Sequence, residues 1–210
     1  MKLYDAERLN PTTQSDNDCL FGLRIEMKNV SLALIHHPVV NKNGEIIGSA
    51  VTNLDLHDIA RAAKTYGVDR YYIVTPFAEQ QELVREIIDH WQTGHGAEYN
   101  PARKNALSIV RLTGSLEETI HELIGHYEQK PLIVTTSARI YDNTVTYSVL
   151  RQKIDSELPV LLLFGTAHGL APEIMAAADA VLPPILGGTE YNHLSVRSAA
   201  SIILDRLLGN

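Results

Sequence analysis

Short apolar runs alternate with stretches in which apolar positions recur every three to four residues. Continuous runs at Val30–Ile35, Arg70–Thr75, Ser108–Leu112, Leu132 onward and Val160–Phe164 predict strands, the last of them buried on both faces. Between them the helical period places Leu56, Ile59, Ala60 and Ala63 on one face of a helix that opens near Asn53 and stops at Gly67, with Asp55 as its cap and Asp58 in its first turn. A second helix spans Phe77–Trp91, with Leu83, Val84, Ile87, Ile88 and Trp91 facing inward and Gly94 as its stop. Ser115-Leu-Glu-Glu118 reads as the capping box of a third, and Thr144–Ser156 supplies a fourth. A helix starting near Pro172 and a terminal one, with Leu194, Ala199, Ile202, Ile203 and Leu207 on one stripe, complete the series. Strands alternating with helices six times over predict an α/β domain with a mostly parallel sheet flanked by helices on both faces.

Two glycine-bearing loops interrupt this alternation near its end, Gly165–Gly169 and Pro183–His193, each leading from an apolar run toward a helix. Glycines at such turns let backbone donors and acceptors approach a ligand with no Cβ in the way, and a helix N-terminus beside them adds free N–H groups. Gly165-x-x-x-Gly169 has neither the spacing of a dinucleotide fingerprint nor the Lys-Ser/Thr pair of a phosphate-binding P-loop. The alternative is a pair of tight turns at the edge of a core sheet.

Residues 93–105 form a long connection containing Asn100, Arg103 and Lys104, which are candidates for holding substrate phosphate or base; a surface loop with a short helix is the competing reading. Adjacent His36 and His37 point to opposite faces of an extended segment with no acid or cysteine nearby, so no metal is expected there.

The 210-residue length fits one domain; residues 1–26 are polar and without periodicity and read as a flexible extension preceding the domain at 27–210. A single cysteine excludes an internal disulfide, no apolar stretch suits a bilayer, and the first residues lack a signal core, so a cytoplasmic protein is expected. The net charge of −7 is unusual for a nucleic-acid partner; basic residues occur in pairs rather than runs.

As motifs, Phe164-Gly-Thr-Ala-His-Gly-Leu170, Leu182-Pro-Pro-Ile185 and Tyr191-Asn-His-Leu-Ser-Val-Arg-Ser198 resemble the C-terminal half of the SPOUT superfamily of RNA methyltransferases. The bacterial branch related to the tRNA (guanine-N1) enzymes is the most similar. The resemblance implies a deep C-terminal trefoil knot that forms a pocket for S-adenosyl-L-methionine, an RNA substrate (tRNA or rRNA) and a homodimer whose acceptor sites both subunits build. It implies cofactor contacts from Thr135, Thr136 and Ser137, from Phe164, Gly165, Thr166 and Gly169, and from Leu182, Ile185, Asn192, Leu194 and Ser195, with Asn192 and Ser195 also able to cap the last helix. Asn53 to Arg61 is similar to the motif that faces the methyl-transfer site, which implies catalytic roles for Asn53, Asp58 and Arg61, with His57 and Glu190 as further candidate bases and Arg197 as a substrate or charge-stabilising contact. His168 stands where the ribose-methylating branch carries Glu, a departure that weakens assignment to that branch. A SPOUT-like module that binds cofactor or RNA without transferring methyl is the alternative.

Overall fold

Six strands build one parallel sheet in the order β5-β4-β1-β7-β6-β8. In the computed structural model, which describes residues 28–209, these are β1 (Lys28–Ile35), β4 (Val68–Val74), β5 (Val110–Thr113), β6 (Leu132–Thr136), β7 (Val160–Gly165) and β8 (Ala180–Leu182). The expected extension at 1–26 lies outside the described residues. A two-stranded antiparallel pair, β2 (Val39–Val40) and β3 (Ile46–Ile47), follows β1. Helices α1 (Asn53–Thr65), α2 (Ala78–Gln92), α3 (His95–Tyr99), α4 (Pro101–Leu107), α5 (Leu116–Tyr127), α6 (Tyr147–Asp155), α7 (Pro172–Ala177) and α8 (Val196–Leu208) connect the strands or follow them. None of them is long and apolar enough to cross a membrane.

The central position of β7 explains its sequence. It pairs with β1 on one side and β6 on the other, and all of Val160–Phe164 is buried. Leu162 and Phe164 join Leu32 and Leu34 of β1 in a core shared with α1, α2, α6 and α8. Leu161 and Leu163 join Ala33 and Ile35 in a second core, closed by α5 and α7. A strand with apolar layers on both faces has no place for polar alternation.

The helix boundaries depart from the sequence reading in instructive ways. Thr52, not Asp55, caps α1: its hydroxyl accepts the Asp55 N–H and donates to the Asp55 carboxylate, which sits at the third helical position. Only Val84 of the α2 stripe is fully buried, while Ile87, Ile88 and Trp91 are half-buried and Leu83 is exposed. The 93–105 connection folds into α3 and α4, and both pack against α2, so α2 is shared between these short helices and the sheet core. In α8 the buried residues are Ala200, Ile203, Leu204 and Leu207. Contact with α1, α6 and β7 together turns the helix by about one position from the predicted stripe, and Leu194 lies before it, exposed.

The end of the chain is enclosed by an earlier segment. β8 pairs with β6 through Val134–Thr136, and on its other side Val181 accepts the Val145 N–H and donates to the Asn143 carbonyl. β8 therefore runs between β6 and the connection that leaves β6.

Candidate functional site

All six strands point their carboxyl ends the same way, and the loops after β6, β7 and β8 emerge side by side. In an open parallel sheet this edge is where ligands bind. The Asn192 amide donates to the Ala138 carbonyl, tying the loop after β8 to the loop after β6. Residues 183–194 make no backbone-to-backbone hydrogen bond with any described residue; the Tyr191 N–H and carbonyl are taken by the Thr189 hydroxyl, and the rest of the loop's main chain has no backbone partner at this edge. Ser195 then caps α8, its hydroxyl accepting the Ser198 N–H.

The loop after β7 is held far more tightly. A Cβ on Gly165 would sit 2.8 Å from the Leu170 nitrogen, so glycine is required for the chain to fold back on itself. Gly169 has φ +118° and closes a turn on Thr166. The backbones of His168 and Gly169 bond to Val40, which fixes the loop to the β2–β3 pair. Its side chains connect as well: Thr166 donates to the Ile35 carbonyl and meets the Ser49 hydroxyl, which bonds the His36 Nδ1 at 3.0 Å. His36 is wholly buried and its Nε2 has no hydrogen-bond partner among the described residues. Burial brings its pKa down to about 4 against the attraction of the Asp55 carboxylate, because a charged imidazolium there would be stripped of its hydration.

A second feature lies between α1 and α8, where Asp58, Arg61 and Thr65 face Arg197, Ser201 and Ile202 across a groove of about 580 Å³. Arg197 is a crosslink: its Nη1 lies 3.0 Å from the buried Asp55 carboxylate and its Nε 3.6 Å from Asp58. Arg61 is exposed and forms no ion pair with a described residue. Three candidates far apart in sequence, Asp58, Arg61 and Arg197, therefore share one groove within a turn of the α8 cap. Asn53 is the first residue of α1, exposed, with its carbonyl bonded to the His57 Nδ1.

Asn100, Arg103 and Lys104 lie elsewhere. The Asn100 side chain caps α4 by accepting the Arg103 N–H, so its oxygen is already engaged. The Arg103 guanidinium covers the Trp91 ring at 4.5 Å, while Lys104 is exposed. Of the cofactor candidates, Thr135 is fully buried, Thr136 donates to the Leu163 carbonyl, and Ile185 packs under the core while Leu194 is exposed. Phe164 and Leu182 are likewise buried, at the ends of their strands.

Residues 29–209 match a family model described as SAM-dependent RNA methyltransferase. The chain belongs to this family. The family's methyl donor, S-adenosylmethionine, suits what the strand-end loops offer: main chain without backbone partners at 183–194 and the exposed apolar side chains of Ile140, Leu186 and Tyr191. Among curated relatives, a protein named tRNA (guanine-N(1)-)-methyltransferase from Oleidesulfovibrio alaskensis is 46% identical over 87% of this chain, which spans 43% of the relative's length. An uncharacterized protein from Aquifex aeolicus is 44% identical, with 86% of this chain matching 88% of it. A SpoU methyltransferase structure from Streptomyces viridochromogenes superposes with a TM-score of 0.54 at 15% identity, covering 86% of this chain and 59% of that one. The fold of this methyltransferase family member is thus the SPOUT fold.

Sequence reasoning missed the Asp55–Arg197 crosslink and the His36–Ser49–Thr166 chain. Neither leaves a local signal, because the partners stand 142 and 117 positions apart.

Proposed function

We propose that this chain transfers a methyl group from S-adenosylmethionine to a base nitrogen or ribose hydroxyl of a tRNA or rRNA, in the cytoplasm, at a site that two copies of the chain complete. The convergence of Asp58, Arg61 and Arg197 in one groove, one turn from the cap of the helix that follows the loop after β8, carries this reading. The cofactor supplies a methyl group made electrophilic by its sulfonium. Thr135–Ser137, Phe164–Thr166 with Gly169, and Leu182, Ile185, Asn192, Leu194 and Ser195 bound its site, largely through main chain. Enclosure of β8 between β6 and residues 143–145 supports the threaded C-terminal topology expected from the resemblance.

The acceptor must lose a proton as its nucleophilic atom attacks. Asp58 is the carboxylate that lines the groove with Arg61 and is assigned as the base, with Asn53 orienting the acceptor from the start of α1. Arg197 is held by two carboxylates and orders the groove wall. Arg61, without such a partner, stabilises the negative charge that develops on the acceptor. Arg103 and Lys104 contact the RNA backbone, with Asn100 fixing the start of their helix.

Incubation of bulk tRNA and rRNA with radiolabelled cofactor tests the assignment. Arg61→Ala is expected to lower transfer by roughly 10²–10³-fold with calorimetric cofactor binding unchanged. Transfer at the wild-type rate removes Arg61 from the mechanism. Saturable cofactor binding without transfer to any RNA assigns the chain to the binding-module class instead.

A further inference from the structure

Away from the strand-end loops, helices α1 to α4 carry aromatic and basic side chains of which the chemistry above uses only Arg61, Arg103 and Lys104. Tyr99, at the end of α3, is 79% exposed, an unusual state for a residue with no packing role, and its ring stacks on His95 at 6.5 Å and 25°. Two residues past the α4 start, Arg103 lies over Trp91. The edge of His57 meets the same indole, with ring centroids 5.7 Å apart. His57 in turn feels both Arg103 and Arg61: burial first, and then these two cations, lower its pKa. Arg103, Trp91, His57 and Arg61 therefore form a path to the α1–α8 groove, with the exposed Tyr99 ring shortly before Arg103 in sequence and the Asp58 carboxylate beside Arg61 at the groove end. Lys104 stands beside it, and Glu98 is the only carboxylate between Trp91 and Leu107 in an otherwise acidic chain.

We propose that this strip binds single-stranded RNA, with an unstacked base on the Tyr99–His95 pair and phosphates on Arg103 and Lys104, and leads the strand to Arg61. The inference rests on the reading of the chain as an RNA methyltransferase and adds the substrate's form: a loop or open strand rather than a duplex. Exposed aromatic rings take bases of any sequence through their faces, while a helical duplex offers no free base face. The offset of a cation covering an indole also suits the site, because a phosphate can draw Arg103 toward solvent without leaving a buried charge behind.

Trp91 is the chain's single tryptophan, so the site carries its own reporter. Titration of the full chain with a mixed-sequence single-stranded oligoribonucleotide should change Trp91 fluorescence saturably, and the matching duplex should bind more weakly. Tyr99→Ala is expected to weaken single-strand binding roughly tenfold, and Lys104→Gln to reduce the slope of log affinity against log salt by about 0.7. Both residues are exposed, so calorimetric binding of S-adenosylhomocysteine should be unchanged and serves as the check on folding. Wild-type affinity in both variants, with bulk RNA still methylated, overturns the strip and leaves the methyltransferase reading standing. Failure of any RNA to bind or be methylated overturns both. Variants that alter sedimentation of the protein but not RNA affinity assign the surface to a protein contact and overturn it as well.

Discussion

A buried histidine beside the loop after β7 makes stability depend on acid in a definite direction. The unfolded chain takes up a proton on His36 near pH 6.5, whereas the folded chain refuses it until about pH 4. Above 6.5 both states are neutral and His36 contributes nothing; as pH falls through that window the unfolded state is favoured, by up to about 3 kcal/mol. Urea unfolding at pH 7 and pH 4.5 should therefore show the wild type losing about 2–3 kcal/mol more than His36→Gln between the two conditions. None of this was legible in the sequence, where His36 and His37 showed only a pair pointing to opposite faces. Arg61 and Asp58 were legible, because a helix period fixes which side chains share a face. Arg197 was legible as a cation at the start of the last helix but not as a crosslink, since only the assembled fold brings Asp55 to it.

Elements differ in how much their own residues determine. β7 and the α5 capping box follow directly from local chemistry: Ser115 accepts the Glu118 N–H, and the Glu118 carboxylate reaches back to the Gly114 N–H. The 93–105 connection does not, because α3 and α4 are five and seven residues long and depend on packing against α2 and α1 for their stability. In the loop after β7, Gly165→Ala should lower affinity for S-adenosylhomocysteine at least tenfold by calorimetry, since the methyl group meets the Leu170 backbone. Gly187→Ala in the neighbouring loop, where a Cβ meets nothing, should change it little. At the amino edge of the sheet, Asp69 at the start of β4 accepts from the His126 Nε2 and the Tyr127 hydroxyl and lies beside Arg70. Asp69→Ala strands those donors and should cost about 1–3 kcal/mol in chemical denaturation, without lowering methyl transfer.

At the level of the whole molecule, alternation of strands and helices made the parallel sheet legible, but not its order. That β7 inserts between β1 and β6 depends on long-range pairing that no local pattern encodes. Net charge remained misleading at this scale, because −7 averages over a surface on which the 91–107 segment carries two cations and one carboxylate. A ligand that binds only the folded chain stabilises all of it: at about one hundred times its dissociation constant, S-adenosylhomocysteine should add about 2.7 kcal/mol, raising Tm by roughly 5–10 °C in a thermal melt. An unchanged melting temperature at that excess rules out a ligand site confined to the native state.

The confinement of β8 also orders events during synthesis. Both walls that hold this strand leave the ribosome before it does, and the loop and helix that finish the ligand-binding edge come later still. A nascent chain halted after α7 lacks β8, the loop after it and α8, which bound that edge. Along the described residues the edge where β6, β7 and β8 end is thus completed only after the segments that wall it in.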